Sequence, residues 1–295
     1  MRAAKGPAPF LFPEGARFGD DNVMLHARAR RHQVDDFAGP LSIKTVVRGE
    51  VSWRVKGQDL PVDAASFLVL ADGEPYAMDL DAPKPVETAC AFFRRGLVEE
   101  MASDLTTPLG ASLENPGRGG SSLPWISRLH FDPQRQVSGQ VETLAARCSR
   151  QFLPSGVEED FLLLAERVLL LYEEMCVRVR QLPAVKAATR EELFRRVERG
   201  REFLHSGGEE PLSLESAARH ACLSRYHFHR AFRRAFDRTP HQYLTELRMA
   251  RAKAMLEQGA WVTEVCVAVG MSSVSSFSQL FRAHQGVSPS RLRRK

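Results

Sequence analysis

Clustered cysteine is what this 295-residue chain most plainly lacks. Its five cysteines stand alone, at 90, 148, 176, 222 and 266, with no C-x-x-C pair. Scattered thiols fit a reducing cytosol and argue against a disulfide framework or a zinc knuckle. A zinc-activated repair cysteine would need clustered ligands too, so that class is excluded. Long apolar runs are also missing. The best candidate, 161-FLLLAERVLLLY-172, is interrupted by Glu166 and Arg167 and is too short to span a bilayer. The opening MRAAKGPAPFLFPEG has no apolar h-region, so no signal peptide is expected, and the expected location is cytoplasmic. Histidine is sparse: the first 189 residues hold only His26, His32 and His130. That is no ligand set, so no metal, cofactor or catalytic residue is expected.

What is present suggests two domains with a helical connector, since domains run to about 100–200 residues. Charge is unevenly spread. Residues 190–295 hold 19 Lys and Arg against 11 Asp and Glu, a net +8. The first 189 residues hold 22 against 25, a net −3. A basic C-terminal segment on a mildly acidic body points to a polyanionic partner for that end.

Residues 20–95 read as strands. Leu41, Ile43, Thr45 and Val47 alternate with other positions, and Val51, Trp53 and Val55 do so after a turn at Arg48-Gly49-Glu50. Further short runs are Ser66–Leu70, Tyr76–Leu80 and Val86–Phe93, with turns expected at 72-DGEP-75 and Asp81–Pro85. Such spacing suggests a sandwich or small barrel. Residues 106–120 read as a loop. From Gln136 to Leu182 the pattern is helical, with Phe161, Leu164, Val168 and Leu171 at 3–4 spacing. An apolar helix of this kind packs on the barrel or on a second subunit. Leu182-Pro183-Ala184 ends it, and 183-PAVKAATR-190 reads as a linker.

The C-terminal third contains a repeat. Ala218, Cys222, Ser224, Phe228, Phe232, Asp237 and Pro240 are matched by Cys266, Gly270, Ser272, Phe277, Phe281, Gly286 and Pro289. The offset is 48 up to the serines and 49 from the phenylalanines onward. Each copy reads as helix, tight turn, helix. The small residue allows close crossing, and four residues later the turn favours a positive φ. Gly270 suits that turn. Cys222 is expected either to cost up to about 1 kcal/mol there or to give a different turn. Ser224 and Ser272 are placed to cap the second helices, and each Phe pair at i, i+4 points inward.

These residues resemble the AraC/XylS family of bacterial transcription regulators. The resemblance rests on 212-LSLESAARHACLSRYHFHRAFRRAF-236, 239-TPHQYLTELRMARAKAML-256 and 264-EVCVAVGMSSVSSFSQLFRAHQGVSPSRLRR-294. Departures are Cys222 and Asp237, where the family commonly has Gly, and Leu292, where it commonly has an aromatic. The resemblance implies two helix-turn-helix units joined by a long helix at about Pro240–Glu257. Each second helix would enter a major groove.

His227 and His229 form an H-x-H pair. On a helix, positions i and i+2 lie roughly 200° apart, so the two cannot share a metal. With Phe228 and Phe232 inward, Arg225, Tyr226, His229, Arg230 and Arg233 form the outward face. Arg230 is placed to grip guanine O6 and N7, and Tyr226 to meet a thymine methyl or a phosphate. His227 falls outside this set. The second copy presents Ser273, Val274, Ser275, Ser278 and Gln279. Gln279 corresponds to Arg230 and can pair with adenine, and Val274 can meet a thymine methyl. Serines that touch phosphates position without specifying. The first unit is therefore expected to dominate discrimination. Arg248 on the long helix reads as structural, and 291-RLRRK-295 as a phosphate-attracting tail.

The β-rich half resembles the cupin-like effector domains of the same family, on 46-VVRGEVSWRV-55 and 66-SFLVLADGEPY-76. That implies an unidentified small-molecule effector and a homodimer through neighbouring helices; Trp53 and Tyr76 are the candidate pocket aromatics, with core packing as the other reading of each. The face His26, Arg28, Arg30 and His32 reads as the wet side of an edge strand. The fold class expected is α+β: a cupin-like β-barrel at 1–135, a helical connector at 136–188 and an all-α double helix-turn-helix domain at 189–295. The function expected is regulation of transcription on double-stranded promoter DNA, with RNA polymerase as the family's usual partner and no membrane. The rival reading is a cupin-type metalloenzyme recruited to DNA.

Overall fold

In the computed structural model, residues 10–106, 128–149, 156–206 and 212–293 are described. The chain divides into two compact units, Met1–Cys176 and Val177–Lys295. Together they make an α+β protein.

Among the described residues the first unit holds eight strands: β1 (Phe10–Phe12), β2 (Val23–Ala38), β3 (Ser42–Arg48), β4 (Val51–Val55), β5 (Gln58–Val62), β6 (Ser66–Leu70), β7 (Pro75–Phe92) and β8 (Arg128–Phe131). All pairings are antiparallel. The order is β1-β2-β7-β3-β6-β8, with the β4–β5 hairpin branching from β7. Val23, Val46, Trp53, Leu60, Leu68 and Phe92 from six different strands meet in one buried cluster, so the sheet curls round its inner face. Its outer face carries Met24, Ile43, Phe67 and Ala91, covered by helices α2 (Ser138–Ser149) and α3 (Val157–Gln181). Helix α1 (Leu97–Thr106) begins just after β7.

Two differences from the sequence reading have plain causes. Residues 81–85 do not turn: β7 runs through them as one strand. The ladder jumps there, from Asp81 opposite Arg31 to Val86 opposite Ala29. Pro83 and Pro85 fall in this bulge, where no ladder donor is needed. The reading also set a connector at 136–188. The contact division falls instead inside α3, and Val141, Leu144, Phe161 and Val168 of α2 and α3 share a core with the sheet. The loop expected at 106–120 lies outside the described residues beyond Thr106.

The second unit is helical: α4 (Ala187–Ser206), α5 (Leu214–His220), α6 (Arg225–Phe236), α7 (Pro240–Glu257), α8 (Val262–Ala268), α9 (Val274–Gln285) and α10 (Pro289–Leu292). The long α7 starts with Pro240 and a reciprocal cap. Gln242 N donates to Thr239 Oγ1 at 3.2 Å, and Thr239 N to Gln242 Oε1 at 2.8 Å. Among the described residues no helix is long and apolar enough to cross a membrane.

Candidate nucleic-acid interface

Two helix-turn-helix units lie one after the other, α5–α6 and α8–α9. Their turns are built alike. Cys222 N donates to Arg219 O and Leu223 N to Ala218 O; Gly270 N donates to Val267 O and Met271 N to Cys266 O. Cys222 and Gly270 both take positive φ, +52° and +73°. The thiol residue therefore occupies the left-handed position that the spacing assigned to glycine, at a cost of about 1 kcal/mol. Asp237 and Gly286 close α6 and α9, again both left-handed. Arg248 of α7 lies against the second turn. A Cβ on Gly270 would come 3.3 Å from its guanidinium, so glycine serves space as well as φ.

Ser224 caps α6 by accepting from His227 N at 3.3 Å. In the second unit the cap is Ser273, which accepts from Ser276 N, and not the Ser272 that the offset suggested. The extra residue thus falls before the cap, inside the turn. Ser273, read as an outward contact, also spends its hydroxyl on the helix end.

Both readings of helix faces hold for the apolar side. Phe228 and Phe232 of α6, and Phe277 and Phe281 of α9, are fully buried. On the other side Arg225, Tyr226, Arg230 and Arg233 are exposed, while His229 is half-buried. Arg230 and Tyr226 act as a pair. The guanidinium lies 5.4 Å over the tyrosine ring and donates to its hydroxyl at 3.4 Å. These two contacts hold the Arg230 guanidinium beside Tyr226 on the exposed face of α6. On α9, Val274, Ser275 and Gln279 are exposed and Ser278 is half-buried.

His229, Arg230, Arg233, Arg234, Gln181 and Asp237 line a hollow of about 730 Å³. Arg234 was not singled out from the sequence, although its i, i+4 relation to Arg230 could have marked it. His227 is exposed and sits on the wall of a separate hollow of about 470 Å³ beside α4. The two histidines thus leave α6 toward different places, as its geometry requires. Among the described residues no group of three or more His, Cys, Asp and Glu is placed to hold a metal. Trp53 and Tyr76 both lie in the inner core of the sheet, 2% and 8% exposed. Arg293 of the tail stacks 3.5 Å over Trp261, while Arg294 and Lys295 lie outside the described residues.

Known proteins resemble this chain mainly in the same segment. A family described as "Helix-turn-helix domain" matches residues 217–295. "HTH-type transcriptional regulator ArgR" of Pseudomonas aeruginosa is 39% identical over 82 residues, which is 28% of this chain and 25% of that protein. The chain thus spans a quarter of that relative's length. "Thermoregulatory protein LcrF" of Yersinia pestis is 24% identical over 249 residues, covering 84% of this chain and 87% of that one. Among solved structures, a regulator from Chromobacterium violaceum with an "AraC-type DNA-binding domain" is 28% identical. It covers 37% of this chain and 94% of that one, with a TM-score of 0.32.

Proposed function

We propose, from the premise that the C-terminal unit is a helix-turn-helix domain of the AraC type, that the chain regulates transcription by binding promoter DNA through α6 and α9. The observation that carries this reading is the paired construction: two units with matching turns and caps, each hiding two phenylalanines and baring polar side chains. On α6 those side chains are Arg225, Tyr226, Arg230 and Arg233, suited to guanine edges and phosphates. On α9 they are Ser275 and Gln279, with the apolar Val274 exposed beside them and Ser278 half-buried, a face whose hydroxyls favour positioning over discrimination.

The test is a titration on DNA selected by the wild-type protein from a random pool. Arg230→Ala is expected to weaken binding to the selected site about tenfold to a hundredfold, or ~1–3 kcal/mol, with little change on random DNA. An equal loss on both would make Arg230 a phosphate contact and remove α6 from sequence reading.

The sheet unit supplies control in this proposal, through a small effector and a second copy of the chain. RNA polymerase is the partner through which such control would reach the gene. Helix α3 offers the surface for the second copy: Leu163 and Leu170, one heptad apart, are 52% and 42% exposed. Sedimentation should give a dimer for the wild type and a monomer for the double variant Leu163→Glu, Leu170→Glu. A monomeric wild type, or a dimer that survives both changes, would remove this surface from the proposal.

A further inference from the structure

The inner face of the curled sheet holds a buried lysine. On β3, the alternation that sends Ile43 to the helix-covered face sends its neighbour Lys44 inward, beside Val46. Lys44 is 1% exposed. Its Nζ donates to Tyr76 Oη at 3.1 Å and lies 3.5 Å from the Phe92 ring centroid and 4.7 Å from that of Tyr76. Among the described residues no carboxylate pairs with it. An ammonium has three donors, and here one hydroxyl and two ring faces receive them. Burial lowers its pKa to about 8, with the nearby Cys90 opposing, so the group is still mostly charged at neutral pH. A buried charge without a counter-ion is costly, and the anion that would offset it must come from outside this side-chain set.

The rings around Lys44 reach the surface on one side. Phe18 packs edge-on against Phe92 at 4.7 Å, and Phe37 against Tyr76 at 5.7 Å; Phe18 and Phe37 also meet at 5.7 Å. Phe92 and Tyr76 are buried, whereas Phe18 and Phe37 are half-exposed. Phe18 belongs to the segment between β1 and β2, and Phe37 follows an irregularity in β2 where Asp36 takes φ +45°. Phe18 is thus carried by a segment outside the ladder, and Phe37 by the last ladder pairs of β2, opposite Tyr76.

We propose that Lys44 and Tyr76 form the anion-binding end of an effector site inside the sheet, for a small organic acid that enters between Phe18 and Phe37. The acid's carboxylate accepts from Lys44 Nζ and Tyr76 Oη, and its apolar body lies among the rings. One cation in an apolar wall suits a single negative charge; an inorganic phosphate would find no further donors there. This identification rests on the effector reading above and names the class of effector.

The probes are sodium benzoate and sodium decanoate, with benzamide and decanamide as uncharged counterparts, added to the full chain and read by thermal midpoint. At least one acid should raise the midpoint with concentration while its amide does not. Lys44→Met should abolish that rise, and Tyr76→Phe should weaken the apparent affinity about tenfold. Tyr76→Phe keeps the ring and carries the test if Lys44→Met does not fold. The proposal is overturned if neither acid acts on the wild type, if the amides act equally, or if the variants respond as the wild type does. Wild-type DNA affinity with and without the active acid separates the two ideas. Binding through Lys44 with unchanged DNA affinity would leave this site standing and remove the effector reading.

Discussion

Glu198→Ala is expected to destabilise the helical second unit by about 3 kcal/mol without touching the exposed face of α6 or α9. Glu198 and Arg201 of α4 are 3% and 5% exposed, and Arg201 Nε donates to Glu198 Oε2 at 2.7 Å. The same guanidinium donates to Tyr243 Oη of α7 at 3.3 Å. Burial would lower the Arg201 pKa, but Glu198, Tyr243 and Glu202 outweigh it and hold the pKa above its ordinary value. Removing Glu198 leaves a buried cation with less compensation. The loss falls toward the lower end of the usual 3–5 kcal/mol because Glu202, 4% exposed, still faces it. Urea unfolding measures the loss. Replacing both partners together, as Glu198→Leu with Arg201→Met, should recover most of it, since matched apolar groups need no charge balance. If the single variant were as stable as the wild type, the pair would contribute nothing to joining α4 to α7.

Lys44→Met should make the protein more stable than the wild type at pH 7, and the gap should close as pH rises. The folded-state pKa, about 8, lies below the ordinary 10.5. Between those values the unfolded chain binds more protons than the folded one, so wild-type stability rises with pH there. Below pH 8 both states are charged and the full cost of burial is felt. The window corresponds to about 3 kcal/mol. Burial raises the Cys90 and Tyr76 pKa values, which works in the opposite direction at alkaline pH. Both groups remain in the variant, so the difference between the two proteins reports Lys44 together with its coupling to Cys90. Urea unfolding at pH 7, 8, 9 and 10 gives the comparison. A constant gap would mean that Lys44 keeps an ordinary pKa when folded.

Local chemistry made the helix-turn-helix units legible. A helix cap, a left-handed turn and an i, i+4 phenylalanine pair each involve residues only a few places apart, so their spacing survives in one dimension. Cys222 and Asp237 show the strength of this. Neither is glycine, yet both take a left-handed φ: Cys222 at the turn where the spacing called for one, and Asp237 where the family commonly has glycine. The limit of the same logic appears at Ser272 and Ser273. An offset of 48 or 49 is a one-residue choice, and only the backbone's entry into α9 decided which serine caps it.

The sheet unit was less legible because its determinants are distant in sequence. Pro83 and Pro85 look like turn residues until β2 is laid beside them, when they fall in a bulge opposite Arg30. Tyr76 and Trp53 were both singled out as pocket aromatics by residue type. The pairing of strands put them in one core but gave only Tyr76 the hydrogen bond to Lys44. Lys44 itself reads as an ordinary polar position in an alternating strand.

The sequence alone determined the two helix-turn-helix units and, His229 apart, the outward set on α6, because each depends on short-range geometry. Tertiary structure decided which face of β3 is interior, hence that Lys44 is buried beside Tyr76 and Phe92, 32 and 48 residues away in the chain. It also decided that α4 packs against α5 and α6 of the first helix-turn-helix pair. Gly200 meets Phe228 and the Ala217 carbonyl so closely that a Cβ would stand 2.4 and 2.9 Å from them. Periodicity shows that a residue faces inward; only packing shows which atoms it meets there.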